Sequence, residues 1–283
     1  DSITYASANI RFNKNDQQNA LTGFKDYLNK FPNGRYTIDA NYNIAEIYNG
    51  KKDYENALIG YAYVASKAPN KYAEKSVLQA ARINFFELKN YTDAEIYFTQ
   101  LKGLASQPNI QLEAMRGLLR SQYRLNQWKD AVPNAQELLT RKGIATDDKM
   151  MANMVIAKNY QSNNETDLAS STYKSVIALG KSEFAAEARY QIAYILFQGN
   201  KLSEAEKAAF EVVNKAGSYE YWTTKSYILL GEIYLKQKDY FNAEATLKSV
   251  SENATIPELK EEAQKKLEEV ISEKKLNSKV AQQ

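Results

Sequence analysis

Lys52-Asp53-Tyr54-Glu55-Asn56-Ala57 and Lys238-Asp239-Tyr240-Phe241-Asn242-Ala243 are two copies of one phrase set far apart in a single chain. The closing alanine belongs to a series, Ala20, Ala57, Ala94, Ala131, Ala169, Ala205 and Ala243, spaced 37, 37, 37, 38, 36 and 38 residues apart. In four copies an aromatic residue, Tyr54, Tyr91, Trp128 or Tyr240, stands three residues before the alanine. A fixed period of this length marks a solenoid, in which each unit buries its apolar face only against its neighbours. Breakers keep the same beat. Pro32, Pro69, Pro108, Gly143, Gly180, Gly217 and Pro257 follow successive anchors by about a dozen residues and are expected to close one repeat each. Proline does so by removing a donor and clashing with the preceding turn, glycine by accepting a left-handed C-cap.

The stretch Tyr227 to Pro257 shows what one unit is. Tyr227, Leu230, Gly231 and Tyr234 form one stripe of a helix with a period of 3.6, and Lys236-Gln237-Lys238-Asp239 makes a polar turn. Tyr240, Ala243, Leu247 and Val250 then mark a second helix, so the repeat is a helical hairpin. Small residues fall where the paired helices cross, in the pairs Gly231 and Ala243, Ala45 and Ala57, Ala157 and Ala169, and Ala193 and Ala205. Leucine in place of one of these alanines should overpack the crossing at a cost of about 1–3 kcal/mol. The N-terminal aromatics are expected to plug the gap beside it.

Composition narrows the function. The 283 residues are 44% hydrophobic, enough for a core along one elongated body, and the 21 tyrosines suit packing between helices. Cysteine and histidine are absent, which removes disulfides, the thiol nucleophile and the commonest metal ligand and general base. No glycine run cradles a phosphate and the carboxylates are scattered, so no catalytic residue, metal site or cofactor is assigned. With 37 basic and 34 acidic residues interspersed, no global field draws the chain to nucleic acid or anionic lipid. No apolar run has the length of a membrane span. The start at Asp1, without an initiator methionine or signal-like segment, reads as a processed or excised piece.

Tyr227-x2-Leu230-Gly231-x2-Tyr234, then Ala243-x3-Leu247 and Pro257, closely resembles the tetratricopeptide repeat (TPR) signature. Asn41-x2-Ile44-Ala45-x2-Tyr48 with Ala57-x3-Tyr61 and Pro69 resembles it again, as does Asn153-x2-Ile156-Ala157-x2-Tyr160 with Ala169-x3-Tyr173. Ala20-x3-Phe24 with Pro32 is a half match. The resemblance implies an all-α fold, a right-handed α-solenoid of about seven hairpins over residues 1–257. The period near 37 exceeds the 34 of the signature, Thr166 and Leu202 replace the aromatic plug, and the hairpin before Ala94 holds one extra residue. Pro133 is expected inside a helix, where it weakens one backbone bond. Residues 258–275 read as a C-terminal capping helix, with the stripe Leu259, Ala263, Leu267, Val270 and Ile271 and solvated pairs Glu261–Lys265 and Glu262–Lys266. Residues 276–283 read as a frayed tail.

The same resemblance places the first helix of each hairpin on a concave groove. It assigns partner contacts to Tyr42, Glu46 and Asn49, then Arg82 and Phe86, then Arg116, Arg120 and Tyr123. From the later repeats it adds Met154, Lys158 and Gln161, then Tyr190, Tyr194 and Phe197. Arg116 and Arg120 lie one helical turn apart and, with Lys158 from the next repeat, are expected to hold a carboxylate or another anion. The asparagine that completes the clamp for chaperone tails in related domains is replaced by Val155, so chaperone-tail binding is not expected. Turn phrases such as Phe31-Pro32-Asn33-Gly34-Arg35-Tyr36 look like the TPR proteins of the Gram-negative envelope, of the Tol-Pal-associated or outer-membrane assembly lipoprotein type. The reading is therefore a non-catalytic scaffold binding a peptide or protein in its groove, in the periplasm or at the outer membrane, with the cytoplasm as the alternative compartment. The competing reading is the C-terminal part of a longer array, or a self-association module, touching partners through its ends.

Overall fold

The computed structural model describes residues 1–281. Fifteen α-helices and no strand occur among them, and fourteen of the helices form seven hairpins. The first three are α1 (Ser2–Asn13) with α2 (Gln17–Lys30), α3 (Thr37–Gly50) with α4 (Tyr54–Ser66), and α5 (Ala73–Arg82) with α6 (Tyr91–Leu104). A π turn, Ile83–Glu87, prolongs α5. The next are α7 (Pro108–Arg124) with α8 (Trp128–Leu139), α9 (Thr146–Ser162) with α10 (Thr166–Ala178), α11 (Glu183–Gln198) with α12 (Leu202–Lys215), and α13 (Glu220–Lys236) with α14 (Tyr240–Asn253). α15 (Pro257–Val280) follows. The chain divides into two compact units, Asp1–Asn134 and Ala135–Gln283, and the division falls within α8 beside Pro133.

Every hairpin turns in the same way. Asn15, Lys52, Lys89, Asn126, Asn164, Asn200 and Lys238 adopt left-handed backbone, with φ between 54° and 61°, and each stands five residues before an anchor alanine. Asparagine tolerates this conformation better than most residues, whereas a lysine there carries a cost of about 1–2 kcal/mol. The left-handed residue lets the next N–H reach back to a carbonyl of the first helix, as Asp53 does to Tyr48 and Asp239 to Tyr234, both at 2.9 Å. Asp53 then caps α4 by accepting from the Asn56 N–H, while the Asn56 side chain donates back to Asp53 at 2.8 Å. Asp16 with Asn19 and Asp239 with Asn242 repeat this reciprocal cap. The recurring phrase is thus a cap, an aromatic plug at the first helical position, a return donor and the anchor alanine.

All seven anchor alanines have no exposed surface, and the residues four and seven positions later, from Phe24 and Tyr27 to Leu247 and Val250, are buried as well. Twelve residues before the anchor, or thirteen in the third hairpin, the first helix supplies Ala8, Ala45, Ala81, Leu119, Ala157, Ala193 or Gly231. Six of these seven are alanine or glycine, so the crossings are small on both sides. Gly180 and Gly217 take positive φ one residue past the C-caps of α10 and α12, as expected of helix terminators, whereas Gly143, also at positive φ, stands four residues beyond the end of α8.

Two breakers act differently from expectation. Pro108 and Pro257 open α7 and α15 at the first helical position, where the missing N–H has no intrahelical acceptor to lose. α15 also runs through most of the stretch read as a frayed tail, as far as Val280. No glycine or proline follows Pro257 to stop it, and its last turns are held by bonds such as Ser278 Oγ to the Lys274 carbonyl. Gln282 and Gln283 lie outside the described residues.

A Cβ added at Gly60 would clash with the Asn41 carbonyl oxygen and lie 2.9 Å from the Ala45 Cβ, whereas one at Gly103 meets nothing within 4 Å. Gly60→Ala is expected to lower unfolding free energy by about 1–3 kcal/mol, and Gly103→Ala to raise it by up to about 1 kcal/mol through helix propensity. Urea denaturation of the two variants should show these opposite signs.

Candidate functional site

In the first unit, α3, α5 and α7 carry the residues assigned to the groove. Tyr42 is buried, its ring stacked at 4.1 Å and 6° on Tyr72, and burial raises its phenol pKa. Tyr42 therefore serves packing between successive hairpins. Glu46 is spoken for on both oxygens, accepting from the Tyr61 hydroxyl at 2.6 Å and from Lys75 at 3.0 Å. Asn49 is half-buried near the end of α3.

Arg82 donates through Nε and Nη2 to both carboxylate oxygens of Glu113, at 2.6 and 2.8 Å. This fork-on-carboxylate geometry holds the guanidinium pKa further above its usual value and fixes α5 against α7. Immediately beyond Arg82 the helix widens into the π turn. The cause is the extra residue in this hairpin: Asn90 N–H bonds to the Asn84 carbonyl, one residue further back than the equivalent bond from Asp53. The wider turn carries Phe85 and Phe86, set edge to face at 4.9 Å.

A pocket of about 310 Å³ opens there, between the π turn, α6 and α7. Phe85, Phe86 and Phe98 supply its aromatic wall, and Arg116 and Arg120 supply guanidinium groups. Gly117 keeps α7 close to α6, because a Cβ at that position would run into the Phe98 ring. Glu113 also lines the pocket, with both its oxygens facing Arg82. Tyr123 lies further along α7, edge-on to Trp128 at 5.2 Å.

In the second unit the assigned residues are used mainly for internal packing. Met154 is fully buried. Lys158 forms a largely buried ion pair with Glu187, so its charge is matched within α9 and α11. Gln161 accepts from the Tyr173 hydroxyl at 2.6 Å and donates to Gln191 at 3.1 Å. Tyr190 is buried against Trp222, with ring centres 5.5 Å apart, and desolvation pushes its pKa up. Tyr194 stacks on Tyr190, and the Lys236 ammonium sits 4.5 Å above the Phe197 ring. A second cavity, of about 490 Å³, lies between α12, α13 and α14, walled by Phe210, Tyr227 and Tyr234 and by the small residues Ala245 and Ser249.

Of the residues read from the sequence, Phe86, Arg116 and Arg120 converge on one pocket. Phe85, Phe98, Asn109 and Gly117 belong to it and were not singled out by the sequence reading. The only sequence signal for them is the extra residue before Ala94, which the π turn absorbs.

Residues 154–220 match the family model for the tetratricopeptide repeat. No curated protein matches the chain in sequence. Among solved structures, a tetratricopeptide repeat protein from Parabacteroides merdae is similar over 94% of this chain and 98% of its own, at 17% identity and a TM-score of 0.50. The C-terminal part of a TPR repeat-containing protein from Cytophaga hutchinsonii is similar over 90% of this chain and 97% of its own, at 15% identity and a TM-score of 0.51. PilW, described as a widely conserved type IV pilus biogenesis factor, is similar over 81% of this chain and 98% of its own, at 16% identity and a TM-score of 0.52. The chain thus carries tetratricopeptide repeat sequence over residues 154–220 and folds as tetratricopeptide repeat proteins do.

Proposed function

We propose that the protein is a non-catalytic scaffold that binds a peptide or protein partner through the face formed by the first helices of its hairpins. Its anchoring point is the pocket beside the π turn. The observation that carries this reading is the pocket's composition: three phenylalanine rings stand beside the guanidinium groups of Arg116 and Arg120, and Glu113 at its edge is held by Arg82. An apolar side chain next to an Asp, Glu or C-terminal carboxylate fits that lining. Removal of the apolar group from water would supply affinity and the charge-assisted bonds would supply orientation. No helix among the described residues is long and apolar enough to cross a membrane. The Phe31–Tyr36 turn phrase and the period near 37 support a place in a Gram-negative envelope assembly, periplasmic or associated with the outer membrane.

The test compares the protein with its Arg116→Glu/Arg120→Glu variant, after circular dichroism has confirmed that both are folded. Each is immobilised and exposed to native Gram-negative envelope extract. A protein retained only by the unaltered chain is then purified and titrated by calorimetry, with a loss of affinity of at least about tenfold expected for the variant, since two charge-assisted contacts are reversed. Equal capture and equal affinity would remove the pocket from the binding surface.

A further inference from the structure

A hollow of about 200 Å³ lies between α10, α11 and α12. Ile177, Ile192 and Ala208 supply its apolar lining, and Lys174, Arg189 and Glu211 its charged groups. The Arg189 Nε–H is buried and bonds no acceptor. A Glu211 carboxylate oxygen stands 4.0 Å from that nitrogen, beyond hydrogen-bond distance, and the same oxygen accepts from Lys215 at 3.2 Å. Lys174, exposed on α10, makes no hydrogen bond or ion pair among the described residues. Buried donors nearly always have partners, so the Arg189 Nε–H calls for a reason.

The repeat shows that the charge is particular to this hollow. Counted from the anchor alanines, Lys174, Arg189, Ile192, Ala208 and Glu211 correspond to Phe210, Tyr227, Leu230, Thr246 and Ser249. All five of those equivalents line the cavity between α12, α13 and α14. The two hollows are thus one feature of the fold in successive hairpins, a gap between second helices over the first helix that separates them. The apolar position is kept as Ile192 or Leu230, while the charged positions of one are aromatic or hydroxyl-bearing in the other. At the place of Arg189 the hairpins of α3 and α9 have Asn41 and Asn153, whose side chains bond carbonyls of their own helices at 2.8 Å. Arg82 shows how a guanidinium is satisfied elsewhere in this chain, through its Nε and Nη2 edge on both oxygens of Glu113. Arg189 has no such counterpart.

We infer that the hollow between α10, α11 and α12 binds a carboxylate carried on a short branched aliphatic group, whether a free acid or the C-terminal residue of a chain. The aliphatic group covers Ile177, Ile192 and Ala208, and the carboxylate takes the Nε and Nη2 edge of Arg189, with Lys174 on the rim. The ligand supplies the acceptor that the Arg189 Nε–H lacks, and Glu211 is left to Lys215. Charge favours an anion, since Lys174, Arg189 and Lys215 stand around the one carboxylate of Glu211. Size favours a small ligand, because the hollow falls below the about 300–1,000 Å³ of sites for cofactors and drug-sized molecules. The site lies between second helices, apart from the pocket beside the π turn, and does not depend on the reading made for that pocket.

Amide NMR of the full chain tests the inference, with isovalerate and its uncharged analogue isovaleramide as probes. Isovalerate is expected to shift the amides around Lys174, Arg189 and Glu211 with saturation, at a Kd of about millimolar, and isovaleramide to bind at least about tenfold more weakly. Arg189→Gln should weaken isovalerate binding by at least about tenfold. Glu211→Gln, which removes the competing carboxylate, should strengthen it by up to about fivefold, and an amide pattern unchanged outside the hollow checks that each variant is folded. An N-acetylated peptide ending in leucine and its C-terminal amide distinguish the sources. Shifts of the same amides by the peptide acid, but not by the peptide amide, would assign the site to chain ends, and a response to isovalerate without one to the peptide would assign it to a free acid. No saturable shift with either acid, equal affinity for isovalerate and isovaleramide, or binding indifferent to Arg189→Gln would overturn the inference.

Discussion

Each hairpin of this protein closes on a residue held in left-handed backbone and, five positions later, on an alanine with no free surface. The two are coupled. The left-handed residue reverses the chain tightly enough for the next N–H to bond a carbonyl of the first helix, and that bond sets where the second helix crosses the first. At the crossing the side chains must be small, and all seven anchors are alanine. Three of the seven turns use lysine rather than asparagine at the left-handed position, at Lys52, Lys89 and Lys238, and so carry backbone strain that the surrounding packing must outweigh. Reciprocal Asp and Asn caps offset part of it at all three of those turns, Asp53 with Asn56, Asn90 with Asp93 and Asp239 with Asn242.

The one place where the geometry relaxes is the third hairpin. One additional residue before the turn is accommodated as a π turn at Ile83–Glu87, which widens the helix and sets Phe85 and Phe86 beside Phe98. Gly117 lets α7 come close to that cluster, and Arg116 and Arg120 flank it. A pocket therefore arises from a defect in an otherwise regular repeat, and the Arg82–Glu113 fork beside it holds the two first helices at a fixed separation. Irregularity in a repeat protein is a natural place for specificity, because regular units offer the same surface over and over.

The hairpins, their number, the anchor alanines and the small-residue crossings were legible in the sequence because a period of 37 repeats each constraint several times. The site was legible only in part. Tyr42, Met154 and Tyr190 were assigned to the groove, yet they are buried between elements, since positions facing a neighbouring hairpin and positions facing the groove share the helical period of one element. The partners of Arg82 and Lys158 lie 31 and 29 residues further along the chain, at Glu113 and Glu187, a separation that no local pattern reveals. Pro108 and Pro257 mark boundaries, but whether a proline ends one helix or starts the next depends on which side can spare a donor.

Because the chain contains no cysteine, a single introduced thiol can be labelled without ambiguity. The most direct test of the pocket's role is fluorescence from an environment-sensitive dye at Asn109→Cys, on the pocket rim, compared with the same dye at Ile96→Cys, on the exposed face of α6. When a captured partner is titrated in, the account predicts a saturating change at position 109 and none at position 96. A response confined to position 96, or silence at both while calorimetry registers binding, would contradict it.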